Sequence, residues 1–404
     1  MTSEWHEVPL RELVGYISKG IAPSYAEEAS ETTIRVLNQK CNRNFRISYG
    51  DSRLHDTLKK KVPPERYVKP DDILINSTGA GTAGRIAQIE DVPSATTIDG
   101  HMILIRSNGK VTQKFLGYAL KAHQWEVLQL DEGSTGQTEL NRDRLLDEIM
   151  INYPVSFDEQ NAIVGTLESI DRKLIVNKEI NDNLEQQAVA LFKSWFVDFS
   201  LFGGTVPENW EDTTLENITT LITRGIAPKY SDNSDQTVVN QKCIRNHTID
   251  LSLARTHTPK AINEKWLKFG DLLINSTGDG TLGRVAQVWF APKALTVDSH
   301  VTIVRPAREE LIFYIGLWGI LHEKEIESLH TGSTGQTELP RDRVKMLKLL
   351  LPDNISLSRF NSIIAPMAST IILNQEENQK LASLRDTLLP KLMSGEIDVS
   401  SIQL

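Results

Sequence analysis

Apolar and polar positions change their period along the chain. Residues 1–150 carry short apolar runs broken by Gly, Pro, Asn and Asp, and the runs at 73–75 and 102–106 predict strands. Residues 115–130 place apolar side chains at helical spacing and predict one helix. From residue 156 to about 198 there is no proline, and Gly165 is the only glycine. Ser156-Phe-Asp-Glu159 has the form of a capping box. Apolar residues then alternate at three and four: Ile163, Leu167, Ile170, Leu174, Leu184, Ala188, Leu191 and Trp195, interrupted by Asn177 and Asn181. Such a stripe over four or more heptads predicts a coiled-coil helix that needs a partner. At ~1.5 Å per residue, forty residues would span ~60 Å.

The partner stripe runs from about 358 to 393 through Ile363, Ile364, Ile371, Leu373, Asn374, Leu381, Leu384 and Leu388. Pro366 is expected to kink or restart that helix, and Pro390 stands near its end. Asn177 and Asn374 occupy equivalent places. They lie either in the seam, where polar groups cost stability and fix register, or just off it on a wet face.

An internal repeat organises the whole chain. Ser18-Lys-Gly-Ile-Ala-Pro-Ser-Tyr25 returns as Thr223-Arg-Gly-Ile-Ala-Pro-Lys-Tyr230, and Val36-Leu-Asn-Gln-Lys-Cys-Asn-Arg-Asn44 as Val238-Val-Asn-Gln-Lys-Cys-Ile-Arg-Asn246. Ile73-Leu-Ile-Asn-Ser-Thr-Gly-Ala-Gly-Thr-Ala-Gly-Arg85 returns as Leu272-Leu-Ile-Asn-Ser-Thr-Gly-Asp-Gly-Thr-Leu-Gly-Arg284. Asp99-Gly-His101 returns as Asp298-Ser-His300, and Gly133-Ser-Thr-Gly-Gln-Thr-Glu-Leu140 is identical at 332–339. One globular domain plus one helical connector is therefore used twice. The fold class is α/β (α+β): two similar globular domains, 1–152 and 206–352, separated by two long antiparallel coiled-coil helices at 153–205 and 353–404. An approximate internal two-fold follows, and a two-fold partner such as duplex DNA suits it.

Two of the 404 residues are cysteine, which excludes a disulfide scaffold, and no apolar run reaches membrane-span length. No secretory signal is visible at the N-terminus, so a cytoplasmic location is expected. The formal charge of −9 argues against nucleic acid until it is divided. Residues 35–69 carry 10 basic against 3 acidic groups, a local +7, and residues 240–268 carry 6 against 2, a local +4. Residues 151–205 carry −4 and 351–404 carry −2. The acidity sits mostly in the helices, and the positive charge sits in matching places of the two repeats.

Gly79-Ala-Gly-Thr-Ala-Gly84 and Gly278-Asp-Gly-Thr-Leu-Gly283 fit G-x-G-x-x-G, with Asp99 and Asp298 about 20 residues on. Alone they suggest two dinucleotide sites and a tandem nucleotide-binding enzyme. A dinucleotide motif must open a helix, however, and residues 85–89 read as strand. A tight turn is expected instead, able to hold a backbone phosphate through its N–H groups and the Ser77 or Thr78 hydroxyl. The Asn-Gln-Lys-Cys segments are dense in groups that read base edges, though asparagines there can equally satisfy turns. Cys41 and Cys243 fall in different domains without ligand spacing, so neither a disulfide nor zinc is expected. Cys41 with His101 as a nucleophile pair is possible on residue type, against the simpler buried thiol. A tandem scaffold with no DNA role is a third reading.

With Tyr153-Pro-Val-Ser-Phe-Asp-Glu-Gln160, Leu191-Phe-Lys-Ser-Trp-Phe-Val-Asp-Phe199 and Leu388-Leu-Pro-Lys-Leu-Met-Ser-Gly-Glu396, the chain resembles specificity (S) subunits of type I restriction-modification systems over essentially its full length. The segments at 191–199 and 388–396 look like the family's central and terminal conserved regions. The second copy has Arg359-Phe360 where the first has Glu159-Gln160. The resemblance implies that each globular domain is a target recognition domain reading one half of a split DNA sequence. It implies that the helices set the gap and dock two methyltransferase (M) subunits, which carry SAM and methylate adenine. Restriction (R) subunits, with ATP and Mg, would join to translocate and cut. The S chain itself would be non-catalytic and hold no cofactor or metal. The likeness of the two domains implies related half-sites in inverted orientation. The expected DNA-facing residues are Lys19, Tyr25, Asn38, Gln39, Lys40, Arg43, Asn76, Ser77, Thr78 and Arg85. Their counterparts are Arg224, Tyr230, Asn240, Gln241, Lys242, Arg245, Asn275, Ser276, Thr277 and Arg284.

Overall fold

The computed structural model describes residues 4–79, 81–132, 138–278, 280–332 and 337–399. Residues 133–137 and 333–336 of the identical segments, and the variable Ala80 and Asp279 of the glycine-rich loops, lie outside the described residues. Two compact units emerge, one from residues 1–174 with 379–404 and the other from 175–378. Each unit is thus a globular region together with a stretch of both long helices.

In the first unit, strand Trp5–Pro9 pairs antiparallel with Met150–Pro154 and ties the ends of the globular region together. A four-stranded antiparallel sheet runs Val14–Lys19, Met102–Ser107, Ile73–Asn76, Ile86–Gln88. Successive side chains of a strand point to opposite faces, and both faces of this sheet are covered. Ile73, Ile75, Ile103 and Ile105 pack with Phe115, Leu116 and Leu120 of helix Gln113–Ala122. Leu74, Met102 and Leu104 face the other way, onto Leu37, Cys41 and Ile98. A second sheet runs Thr96–Ile98, Thr33–Leu37, Arg53–Asp56, Tyr25–Ala26, and its first pair is parallel. The second unit repeats the plan with Thr219–Arg224, Val301–Pro306, Leu272–Asn275 and Val285–Gln287, beneath helix Ile312–Leu321.

The single helix expected at 115–130 is two, Gln113–Ala122 and Gln124–Val127, broken at His123. The break turns Gln124 into the sheet. Its Oε1 accepts from Ile86 N at 2.9 Å, and its Nε2 donates to the Gly84 carbonyl at 2.8 Å. Asp72 is a buried anchor. Arg106 grips both of its oxygens at 2.7 Å and donates to the carbonyls of Glu65 and Tyr67 at 2.8 and 2.7 Å. Arg305 and Asp271 repeat the arrangement.

The long helices are Phe157–Phe196 and Asn354–Met393. The second continues through Pro366 instead of restarting there. Proline costs one backbone hydrogen bond, while Ile364, Ala368 and Ile371 are fully or almost fully buried around it and hold the rod. In the first unit, Ile163, Val164 and Leu167 share a core with Leu389, Leu392 and Met393. Asp171 joins Lys121 at 2.9 Å, Tyr118 at 3.0 Å and Arg385 at 3.1 Å. The second unit uses aromatic rings at the corresponding place: Phe192, Trp195 and Phe196 meet Phe360, with 4.8 Å between the Phe196 and Phe360 centroids.

Asn177 and Asn181 lie in the seam, at 0% and 8% exposure. Asn177 Nδ2 donates to Glu377 at 2.6 Å and Asn378 at 3.0 Å, and Asn374 Nδ2 donates to Asn181 Oδ1 at 2.8 Å. Position rises on one helix as it falls on the other, so the pairing is antiparallel. Removing one partner of a buried hydrogen bond costs more than removing both. Asn181→Leu should therefore lower unfolding stability by about 1–2 kcal/mol, and adding Asn374→Leu should restore it. A double variant no more stable than the single one, by urea titration, would count against the seam role.

The helix starts are capped as well. Ser156 Oγ accepts from Glu159 N at 3.4 Å. Asp353 accepts from Ile355 N, Ser356 N, Ser356 Oγ and the Trp210 indole, all at 2.8–3.0 Å. Burial pushes the Asp353 carboxyl up, but these hydrogen bonds outweigh it and hold the group at about 2. A depressed folded value means the stabilisation is complete above the ordinary carboxylate range, ~4, and fades as pH falls toward 2. Acid titration of unfolding should show this loss in the wild type. The slope should flatten in Asp353→Ala, and an unchanged slope would refute the assignment.

Candidate nucleic-acid interface

The duplicated sequence segments, far apart along the chain, meet at one place in each unit. The hub is the end of strand Ile73–Asn76. Ser77 N donates to the His101 carbonyl at 2.8 Å, and Ser77 O accepts from Leu140 N at 2.7 Å. Thr78 Oγ1 lies 2.7 Å from His101 Nδ1 and 3.3 Å from Gln39 Oε1. Asn76 Nδ2 donates to the Gln39 carbonyl at 3.2 Å. Lys19 pairs with Glu139, which itself bridges Thr78 in β fashion. Gly20 N donates to Met102 O at 3.0 Å and Ile21 N to Ile98 O at 2.9 Å, closing the loop around Asp99.

The second unit builds the same hub. Thr277 Oγ1 lies 2.7 Å from His300 Nδ1 and 3.3 Å from Gln241 Oε1. Asn275 Nδ2 reaches the Gln241 carbonyl at 3.1 Å, and Arg224 pairs with Glu338. One substitution matters inside: Asn42 donates to Asn76 Oδ1 at 3.2 Å, whereas Ile244 stands in its place in the second copy. Asn275 Oδ1 is consequently buried without a hydrogen-bond partner among the described residues.

The candidate residues divide by exposure. Asn76, Ser77, Asn275 and Ser276 are fully buried. They hold the hub and offer no surface to a ligand, which corrects the expectation that they face outward. Asn38 and Asn240 are spent on turns: Asn38 Oδ1 accepts from Lys40 N at 2.9 Å, and its Nδ2 donates to Asp51 O at 2.8 Å. Asn240 does the same with Lys242 N and Leu253 O. Arg85 and Arg284 fold back onto the Gly81 and Gly280 carbonyls at 3.1 and 2.8 Å. The glycine-rich turn leads into strand Ile86–Gln88 and opens no helix. Its Thr82, Ala83 and Gly84 N–H groups are taken by internal bonds, so most of the expected phosphate cradle is occupied by the turn itself.

Lys40, Arg43, Lys242 and Arg245 are exposed, and none has an ion-pair partner among the described residues. Tyr25 and Tyr230 are each 39% exposed. Each lies under a guanidinium that the sequence reading did not single out, Arg53 at 3.3 Å and Arg255 at 3.7 Å from the ring centroid. His101 was visible as a repeated residue and as a possible partner of Cys41, His300 only as a repeated residue, and their exposed place on the hub comes from the fold. Both cysteines are free and buried, and burial pushes both thiols up, away from the reactive thiolate. No cluster of metal-ligating residues occurs among the described residues, and no helix there is long and apolar enough to cross a membrane.

A family model described as the type I restriction modification DNA specificity domain matches residues 2–186. The type I restriction enzyme MjaIX specificity subunit of Methanocaldococcus jannaschii is 27% identical over 383 residues, covering 88% of this chain and 84% of that protein. The type I restriction enzyme HindI specificity subunit of Haemophilus influenzae is 20% identical over 474 residues, covering 98% and 100%. The S subunit of a type I restriction-modification system from M. genitalium shares the fold, with a TM-score of 0.58 at 16% identity over 97% of this chain and 96% of that one. In sequence the chain is thus similar to type I restriction enzyme specificity subunits along both repeats, and it shares the fold of a solved S subunit.

Proposed function

We propose that each globular domain reads one half of a bipartite duplex DNA target, and that the long helices set the spacing and dock two M subunits. The observation that carries this reading is the duplicated hub. Two units bring the same repeated segments together, and each presents exposed cations without an ion-pair partner among the described residues, Lys40 and Arg43 in one and Lys242 and Arg245 in the other. Exposed Lys and Arg neutralise phosphates and position a protein on DNA, while the polar groups beside them discriminate bases. The contact set proposed is Lys40, Arg43, Thr78, Tyr25 and Arg53, with Lys242, Arg245, Thr277, Tyr230 and Arg255. The chain would be non-catalytic. SAM would belong to the M subunits, and ATP and Mg to R subunits.

The acidic helices suit docking of protein subunits, and the net charge of −9 suits weak binding of free DNA by the S chain alone. The likeness of the two hubs supports related half-sites in inverted orientation. Methylome sequencing of a host co-expressing the chain with its M subunit tests the reading. A split, near-palindromic methylated sequence is expected. Two unrelated half-sites would sink the symmetry proposal, and absence of any sequence-specific methylation would sink the function.

A further inference from the structure

Most side chains on the hub surface are cationic or already committed, but one group in each copy has an unspent acceptor. We propose that His101 and His300 are base-reading residues, one per domain. Each presents the bare Nε2 of a neutral imidazole to an amino group on a base edge. The proposal rests on the DNA-recognition reading above and adds the residue and the chemistry.

The hydrogen-bond chain points to the ring nitrogen that carries the proton. Gln39 Oε1, 3.3 Å from Thr78 Oγ1, can only accept, so the single hydroxyl proton of Thr78 is directed to it. With its proton so directed, Thr78 Oγ1 turns lone pairs toward His101 Nδ1 at 2.7 Å, and the proposal takes Nδ1 as the donor. A neutral imidazole protonated at Nδ1 has a bare Nε2. The second copy repeats the chain through Gln241, Thr277 and His300 at 3.3 and 2.7 Å. Both imidazoles are exposed, and Nε2 of neither has a partner among the described residues.

The backbone beneath is held as firmly. His101 N donates to Asp99 Oδ1 at 2.9 Å, and His300 N to Asp298 Oδ1 at 2.9 Å. The two histidine carbonyls accept from Ser77 N and Ser276 N, each at 2.8 Å. An exposed ring fixed at both ends loses little freedom on binding, which favours its use in recognition. Its chemistry complements its neighbours. Lys40 and Arg43 can only donate, to phosphate or to guanine O6 and N7. A bare nitrogen can only accept, and the major-groove edges that donate are adenine N6 and cytosine N4.

The test uses the chain purified with its M subunit, once methylome sequencing has given the target. Duplexes are made in which one adenine at a time becomes purine, lacking N6, or one cytosine becomes 2-pyrimidinone, lacking N4. One replacement in one half-site should weaken wild-type binding roughly tenfold. His101→Ala should weaken the natural duplex by a like factor, and the two changes together should do no more than either. His300→Ala should do the same in the other half-site. Nitrogen-15 spectra of the free chain should show both rings protonated at Nδ1. The proposal is overturned by a base replacement that hurts His101→Ala as much as wild type, or by Nε2 protonation. It is equally overturned if His101→Ala weakens every duplex alike and lowers the salt slope by about one, the signature of a phosphate contact. A specific methylated target with an indifferent His101 removes only this proposal, whereas no specific target removes the recognition reading itself.

Discussion

Asp271→Ala will destabilise the second unit by about 3–5 kcal/mol, and Asp72→Ala will do the same to the first. The carboxylate of Asp271 is fully buried, and Asp72 is 2% exposed. Each binds its arginine through two hydrogen bonds of 2.7–2.8 Å. Two of the three remaining arginine protons go to the carbonyls of Glu264 and Trp266, or of Glu65 and Tyr67. Removing the carboxylate leaves a mostly buried guanidinium with its strongest partner gone, and that uncompensated charge is the main cost. Replacing both partners, as in Asp271→Leu with Arg305→Met, should recover much of the loss, because the pair's desolvation penalty disappears with it. Five of the seven tryptophans, Trp195, Trp210, Trp266, Trp289 and Trp318, lie in the second unit, so indole fluorescence during urea unfolding reports mainly on that unit. A single-variant loss below 1 kcal/mol would show that water replaces the carboxylate and that the site is less dry than its burial indicates.

The second large effect is expected at a glycine. A Cβ added to Gly20 would sit 2.2 Å from the carbonyl oxygens of Ile98 and Asp99, and one added to Gly225 would sit 1.9 Å from that of Val297. These neighbours are backbone and cannot rotate away, so the strand must separate from the Asp99 or Asp298 loop. Gly20→Ala should cost about 3 kcal/mol, the range of overpacking in a core. It should also blur recognition of one half-site while the other stays sharp, because the displaced loop carries His101. Gly100, in the same hub, is the control: an added Cβ there meets nothing nearer than 3.7 Å, and the second copy already has Ser299 at that place. Gly100→Ala should leave both half-sites and stability nearly unchanged. Methylome sequencing of cells carrying each variant reads both outcomes, and a Gly20→Ala protein with two intact half-sites would contradict the close approach.

Much of the architecture was legible because it is written in local pattern. The two helical stripes, their polar interruptions at Asn177, Asn181 and Asn374, and the strands read at 73–75 and 102–106 follow from local apolar pattern alone. The repeat exposed the duplicated domain without any packing information. The turn reading of the glycine loop also followed from what comes after it, a strand and not a helix. The resemblance to specificity subunits came from segments that survive as strings, such as those at 191–199 and 388–396.

What sequence could not supply is whatever joins residues remote along the chain. Asp72 meets an arginine 34 residues away, and its neighbour Asp71 looked no different on paper. Asn76 and Ser77 looked like surface polar groups in a glycine-rich loop. The fold buries them, because their hydrogen bonds are completed by Gln39, Asn42 and His101 from other elements. Pro366 failed to interrupt its helix because a core built from distant residues outweighed one missing bond. Tyr25 acquired its cation from a strand that pairs beside it. Periodicity records which face of an element is buried, so it determined the two repeats and the two helices. Only the tertiary structure decided which polar groups are spent on the protein and which stay exposed, since hydrogen-bond satisfaction depends on partners that only folding brings within 3 Å or so.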